Sequence, residues 1–419
     1  MLNNFPGRRD LLVALAGRTA STFGDGVALV ALTLRLQSDG ARPYDVGLLL
    51  AAGTLPLLLL ARPVGRLVDS RDSRHLLVGA GVAEAACTAF LVLVHSVPAI
   101  VALVAMLGAA AAVAGAAWAA LIPRIVGEER VGRAVSAQQS LYALALVGAP
   151  AVGGLLTGTF GSGLPVALDA ASFVVVTGAA ALVRTRRRPA AAGPDDGSSR
   201  ARGGFEVLRS DGVLGPLIVG LTVVVLVVGM VDVVLVFLIR VTFHSSGLFY
   251  GGTGAAWTAG IVAGSLGAGR LADERGRVRA TVAGAAAACA SLALCAAVPA
   301  VWMLLPLSIL GGIGNGYVSA CFSSLLVART ADAERGRVSA AANAAVGSAQ
   351  GVSLLVGGAV AAVFAPRVIY AMAGTLGLAA AGAVALVLAL RSARPSGARG
   401  PRRPLRPDWH AEGVSSRLE

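Results

Sequence analysis

The sequence predicts an all-α polytopic membrane protein: twelve transmembrane helices arranged as two six-helix parallel repeats. Three observations carry this prediction: the chain is strongly apolar, arginine marks alternate ends of twelve apolar runs, and short motifs return at one offset. Of the 419 residues, 56% are hydrophobic and 14% charged, with a mean hydropathy of +0.77. Soluble domains carry about 25% charged residues, so a water-soluble globular class is excluded. Twelve spans of about 20 residues each fit the length, leaving short connections, one linker and a tail.

Charges and turn residues bound apolar runs at 11–36, 45–61, 76–94, 98–122, 134–160 and 165–183, and again at 213–239, 248–269, 278–298, 300–328, 338–364 and 368–390. The first run follows Arg8 and Arg9 and continues to Leu36 without a cleavage context, so it is expected to stay as the first span. Between the sets, the stretch from Arg184 to Gly204 has no apolar periodicity and reads as a flexible linker. The predicted organisation is a six-helix bundle over 1–183, a cytoplasmic linker over 184–210, a second bundle over 211–390 and a disordered cytoplasmic tail over 391–419.

Arginine supplies every basic residue, 35 in all, for a net charge of +13. In a soluble chain that charge would suggest nucleic acid; here the arginines lie between apolar runs, so no nucleic-acid partner is expected. Arg18 falls inside a span and Arg35, Arg42, Arg240 and Arg367 fall on one side, while all the others share the side of the two termini. The positive-inside rule therefore puts both termini in the cytoplasm of a cell membrane. Cys87, Cys289, Cys295 and Cys321 all sit in apolar runs without metal-ligand spacing and read as buried packing residues. No phosphate-binding loop can be completed without lysine, and all four histidines lie outside the spans. The sequence thus predicts no enzyme, no cofactor and no metal.

The repeat is explicit. Gly65-Arg66-Leu67-Val68-Asp69 returns as Gly269-Arg270-Leu271-Ala272-Asp273, and Glu129-Arg130 with Gly132-Arg133 as Glu334-Arg335-Gly336-Arg337. Gly153-Gly154 returns as Gly357-Gly358, and Arg35 as Arg240. All four matches fall at offsets of 204 to 205 residues, so the halves are parallel repeats about an axis along the membrane normal, with a substrate path between them.

The loop GRLVDSRDSR (Gly65 to Arg74) and its copy GRLADERGR (Gly269 to Arg277) resemble the G-x-L-A-D-R-x-G-R-K signature of the major facilitator superfamily. The first copy departs at Ser70 and Asp72. The resemblance covers Asp10 to Leu390 and implies alternating access, with Gly65, Asp69, Arg74, Gly269, Asp273 and Arg277 forming a cytoplasmic gate that holds the outward-open state. Arg124 and Arg329 are the expected partners of its aspartates. The alternative is an ordinary solvated loop charge. LDAASF (Leu168 to Phe173), VGLLLAAGTLP (Val46 to Pro56), GGFEVLRSDGVL (Gly203 to Leu214) and STFGDG are similar to stretches of the branch containing the enterobactin exporter and macrolide efflux proteins. Gly148, Pro150, Gly153 and Gly154 resemble the antiporter motif G-P-x-x-G-G; span eleven keeps the paired glycines but has Leu354 at the proline position. That asymmetry implies efflux. Pro150 is either a hinge or plain packing.

Ionisable groups inside the bilayer cost about 2.5 to 3.5 kcal/mol at a helix centre and therefore face partners or cavities. Asp25, Glu84, Asp232 and Arg18 are the candidate proton-coupling groups, with Asp25 leading. Arg18, Thr22 and Asp25 share one helical face at i, i+4 and i+7, which leaves an Arg18–Asp25 ion pair as the competing reading. Thr22, Gln139, Tyr142, Asn315, Asn343 and Gln350 are candidates for the substrate path, against interhelical hydrogen bonding. Trp118, Trp257, Tyr317 and Phe322 are further aromatic candidates for a pocket. The expected function is proton-driven export of a small hydrophobic or amphipathic molecule (drug, antibiotic or siderophore-like) by a monomer embedded in the lipid bilayer. The alternatives are nutrient uptake by symport, or a transporter-like receptor or scaffold.

Overall fold

A computed structural model of the chain describes residues 7–183 and 197–393. The predicted tail beyond 393 and the linker segment 184–196 lie outside the described residues. The first half contains α1 (Arg8–Ser38), α2 (Pro43–Leu59), α3 (Ala61–Ser70), α4 (Ser73–Leu93), α5 (Val97–Val126), α6 (Val131–Phe160) and α7 (Gly163–Leu182). After α8 (Gly197–Ser210), the second half contains α9 (Leu214–Val228), α10 (Met230–Phe237), α11 (Gly247–Ala268), α12 (Glu274–Ala297), α13 (Leu304–Arg329), α14 (Asp332–Ala361) and α15 (Pro366–Ala393). Each predicted span coincides with a helix or a broken helix to within a few residues. Among the described residues nine helical segments are long and apolar enough to cross a membrane, and the bent pair α2–α3 makes a tenth. Charged α1 and glycine-rich α11 complete the twelve.

Helix contacts repeat between the halves. In the first, α1 packs on α6 and α7, α2 on α5, and α4 on α5 and α7; in the second, α9–α10 pack on α14 and α15, α11 on α13, and α12 on α13 and α15. The halves meet along two seams, α2 with α14 and α6 with α11. These seams are equivalent under exchange of the halves, as a two-fold axis between parallel repeats requires.

Both seams need glycine. A Cβ added at Gly47 would stand 2.6 Å from the Leu354 carbonyl oxygen, and one at Gly154 would stand 2.5 Å from that of Gly247. One at Gly251 would collide with the carbonyl of Pro150. Small residues allow such backbone approach where lipid supplies no hydrophobic drive between helices. The buried core follows the same division. At the end away from the termini one cluster crosses both halves, from Leu34, Leu36, Val46 and Leu49 to Val233, Val236, Leu238 and Leu354. At the terminal end the core separates into two, one holding Leu11, Leu121, Ile125 and Val183, the other Leu214, Leu217, Leu325 and Val338. The molecule is therefore joined at the far end and parted at the terminal end.

Three local features depart from the sequence expectation. The signature loop after the second span is helical as α3, bent 54° from α2; Gly65 lies inside it with open space at its Cβ position. The linker, read as flexible, is helical from Gly197 as α8, because Leu208 buries itself against the core of the second half and Gly204 abuts the backbone of Arg337. The seventh span is not continuous: it breaks at Gly229 and ends in a π-helical turn over Leu238–Thr242.

Gly251→Val should weaken the α6–α11 seam by about 1–3 kcal/mol through overpacking and lower the melting temperature of the purified protein. Gly178→Ala, where an added Cβ meets nothing within 4 Å, should leave it unchanged. A circular-dichroism or fluorescence melt reads both; equal melting temperatures for Gly251→Val and wild type would show that the seam is loose.

Candidate functional site

Among the described residues, two polar zones lie inside the helical mass, one in each half. In the first, α1 presents Arg18, Thr22 and Asp25, α4 contributes Glu84, α6 contributes Tyr142 and α7 contributes Asp169. Glu84 and Asp169 are almost fully buried, whereas Asp25 is accessible within the interior. Arg18 interacts electrostatically with Glu84, Tyr142 and Asp25, and Asp169 with Asp25 and Glu84. Gly24 lets Asp169 reach α1, for a Cβ there would collide with Asp169 Oδ1 and lie 2.8 Å from Ser172 Oγ. Ser172 donates to Asp169 Oδ1 at 3.3 Å. Arg18 and Asp25 make no hydrogen-bonded ion pair among the described residues and interact through space. Asp25 and Glu84 share the Arg18 guanidinium, and Asp169 acts on both of these acids, so the three carboxyls form a coupled set in which a proton gained at one changes the field at the others.

Asp169 was absent from the sequence-based candidates. The signal was present: it is the one charged residue in the apolar run 163–182, and an acid in such a run requires a partner or a cavity.

The second zone is a cavity of about 210 Å³ between α10, α11, α12, α13 and α15, closed on one side by Pro150 of α6. Asp232, Trp257, Ser291, Ser308 and Tyr370 line it beside apolar Val231, Leu235 and Leu292. The break at Gly229 positions Asp232. A Cβ on Gly229 would meet Ser353 Oγ at 2.8 Å and Gln350 Nε2 at 2.9 Å, so glycine admits α14. Gln350 Nε2 then donates to Asp232 Oδ2 at 3.1 Å, and Ser353 Oγ donates to the Leu226 carbonyl freed by the break. Broken helices lining midplane cavities are how membrane proteins expose backbone and polar groups to a ligand.

The other predicted residues divide clearly. Gln350 reaches the cavity through Asp232, and Tyr142 joins the Arg18 cluster. Gln139 and Asn343 are exposed on α6 and α14 towards the parted end. Asn315 is not among the cavity-lining residues, because its helix presses on α11 and α12 through Gly314 and Gly316. Trp118 and Phe322 belong to the separated cores and Tyr317 packs on Gly267 and Gly284, which leaves Trp257 as the aromatic candidate in the cavity. In the antiporter-like motif, Gly148 faces Phe23 and Gly153 the Val27 carbonyl, while Gly154 forms the seam to α11.

At the terminal end the expected pairing of Asp273 with Arg329 is corrected. Arg329 bridges Asp211, at 3.1 Å, and Glu274; Asp273 instead caps α12, accepting from the Gly276 amide at 2.7 Å. An N-cap aspartate turns inward to its own helix, which leaves the arginine to its neighbours. In the first copy Asp72 takes that capping role on α4, accepting from the Arg74 amide at 2.8 Å, which explains the departure from the signature there. Asp69 and Arg124 are exposed. Arg74 donates to the Ala181 carbonyl, and Arg277 to the Leu271 carbonyl at 3.0 Å. Gly269 ends α11. All these contacts stay within one half.

The sequence profile of the Major Facilitator Superfamily matches residues 14–267 and, overlapping it, 217–416. The chain belongs to that superfamily. A search of curated protein sequences returns no significant match. Among solved structures the chain is similar to the nucleoside transporter NupG, at 12% identity and a TM-score of 0.72 over 90% of this chain and 98% of that one. A mutant of that transporter gives 12% identity and a TM-score of 0.74, covering 90% and 99%. A bacterial homologue of the human lysosomal transporter Spinster, in an inward-facing and occupied conformation, gives 14% identity and a TM-score of 0.66, covering 90% and 94%. At such identities the likeness establishes the fold. As a major facilitator protein the chain is a multi-pass membrane transporter, and its two polar zones are the candidates for what it carries and what drives it.

The Asp211–Arg329 contact has a calculable pH signature. Burial pushes the Asp211 carboxyl up, but amide hydrogen bonds from Leu214 and Val213, together with Arg329, outweigh it and hold the group below its ordinary value. A depressed carboxylate contributes stability that is present above its unfolded value near ~4 and lost as pH falls through the folded one. Melting temperatures between pH 3 and 6 should fall on acidification in the wild type. Asp211→Asn should be about 1 kcal/mol less stable at neutral pH and show a flatter profile. Parallel profiles for the two proteins would contradict this assignment.

Proposed function

We propose that the protein is a proton-coupled secondary exporter of small hydrophobic or amphipathic molecules, acting as a monomer in the cell membrane by alternating access. Both termini are cytoplasmic in this reading, supported by the concentration of arginine at the terminal end; the parted end then opens inward. The observation that carries the proposal is the set of intramembrane carboxyls, Asp25 and Glu84 beside Arg18 with Asp169 next to them in one half, and Asp232 in the other. A group that accepts a proton from one side and releases it to the other must alternate between charged and neutral forms, and a coupled cluster lowers the cost of that change in an apolar interior. Asp25 is the leading coupling group because it combines that cluster with access to the interior. The cavity around Asp232, Trp257 and Tyr370 is the substrate site, with apolar walls and few polar fixing points.

Export is favoured by the resemblance of Gly148 to Gly154 to the antiporter motif and of the longer stretches to the efflux branch. In the parted state Gly65 to Arg74 and Gly269 to Arg277 form the open gate, and they re-engage across the halves when the far end opens. One observation favours a second reading, uptake by symport: the carboxylate, amide and hydroxyls around Asp232 suit a hydroxylated polar substrate, and one structure of similar fold is named a nucleoside transporter.

The test is transport by cells preloaded with a panel of lipophilic dyes, antibiotics and nucleosides, with and without an uncoupler. Uncoupler-sensitive efflux is expected, reduced at least about tenfold in Asp25→Asn at equal membrane abundance, and unchanged in Asp39→Asn. Efflux that survives in Asp25→Asn would remove that role and pass it to Asp169, Glu84 or Asp232. Uptake of panel members driven by the proton gradient would replace export with symport.

A further inference from the structure

The two arginines related by the repeat, Arg35 and Arg240, line a single pocket of about 290 Å³ at the joined end of the molecule, on the opposite side of the α6–α11 seam from the terminal gate. Its walls come from both halves. Thr157 of α6 and Ser38 of α1 lie on one side, and Ser162 and Ser246, the residues that precede α7 and α11, complete it. No acid lines it. Asp39 forms a long ion pair with Arg35 Nε at 3.9 Å and is half exposed to solvent.

The arginines are held in place with donors to spare. Arg35 is 7% exposed; Nη1 donates to the Leu91 carbonyl at 3.0 Å and Nη2 to that of Val94 at 2.7 Å. Arg240 lies in the π-helical turn, where Nε donates to Gln37 Oε1 at 3.3 Å and Nη1 to the Ser245 carbonyl at 3.0 Å. A guanidinium has five N–H groups, so each retains donors beyond these bonds. Three further groups are unengaged. Thr157 Oγ1 is buried with no hydrogen-bond partner, and the side chains of Ser162 and Ser246 make no capping bond to the helices they precede. The rim is also irregular in backbone, with the π turn followed by His244 at φ +49°, a left-handed conformation rare outside glycine. Such departures collect at binding and switching sites.

We propose that this pocket binds a small oxyanion (a phosphate, sulfate or carboxylate group) and that the bound anion fastens the two halves at the joined end. Planar guanidinium forks match such groups geometrically, the start of a helix adds amide donors and favourable dipole, and the hydroxyls complete the coordination. The volume holds a tetrahedral anion with several waters, each of about 30 Å³. Because the walls come from both halves, the site exists whole only while this end is closed. A ligand that binds one of two states shifts the population towards it, so the anion slows opening of this end whichever direction substrate moves. The chemistry is shared by a free anion and the phosphate of a phospholipid headgroup.

The full-length protein, reconstituted in phosphatidylcholine nanodiscs, is melted in sodium phosphate or sulfate against sodium chloride at matched ionic strength. Wild type should gain about 2 °C or more in the oxyanion over chloride; Arg240→Gln and Thr157→Val should lose most of that gain, and Arg240→Lys should keep part of it. Arg240 and Thr157 are chosen because Arg35 carries packing contacts whose loss could unfold the protein. A gain in phosphatidylglycerol nanodiscs that is abolished by Arg240→Gln, with phosphate then adding nothing, would support the same site filled by a headgroup. No gain from either source, or an equal gain in Arg240→Gln, overturns the proposal.

Discussion

Backbone-to-backbone approach at the two inter-half seams is the constraint on which the rest of this structure depends. Gly47 against Leu354 and Gly154 against Gly247 bring α2 to α14 and α6 to α11 at distances that no side chain tolerates. In a bilayer, where burial from lipid gives little drive, that contact and its dispersion energy hold the halves together. Everything at the joined end follows from it: one apolar core shared across both halves, Pro150 closing the Asp232 cavity, and Arg35 and Arg240 brought into one pocket. At the terminal end the cores separate, and Asp72, Arg74, Asp273 and Arg277 of the signature motifs bond within their own halves.

Charge in an apolar interior is the second organising term. Each ionised group there must find a counter-charge, a hydrogen bond or a water-filled space, and the structure uses all three. Asp169 takes a serine hydroxyl, Asp232 takes Gln350, and Asp25 opens to the interior. The single guanidinium of Arg18 is shared between Asp25 and Glu84, and Asp169 acts on both of these acids.

The spans were legible because apolar runs and arginine placement record the bilayer directly, and the repeat was legible because its motifs survive at nearly constant offset. Irregular elements were not. The break in the seventh span depends on α14 reaching Gly229 with Gln350 and Ser353, a tertiary contact that a continuous run of valine and leucine conceals. Helix α8 is too polar to read as a span, and only its apolar Phe205, Val207 and Leu208 hint that it packs. Arg329 was seen as a gate residue, yet its partners, Asp211 and Glu274, follow from helix capping by Asp273 and not from motif spacing. Of the intramembrane acids, Asp25, Glu84 and Asp232 stood out by hydropathy alone; Asp169, equally conspicuous by that criterion, was absorbed into a family-like stretch.

The claim that the halves are joined at one end and rock about that contact is tested most directly by distance distributions between paired spin labels. One pair, at Arg71 and Arg275, reports the parted end; the other, at His95 and Trp302, reports the joined end. With substrate and a change of pH the account predicts opposite movements: the Arg71–Arg275 distance shortens as the His95–Trp302 distance lengthens. Two distances that stay fixed, or that lengthen together, would contradict it.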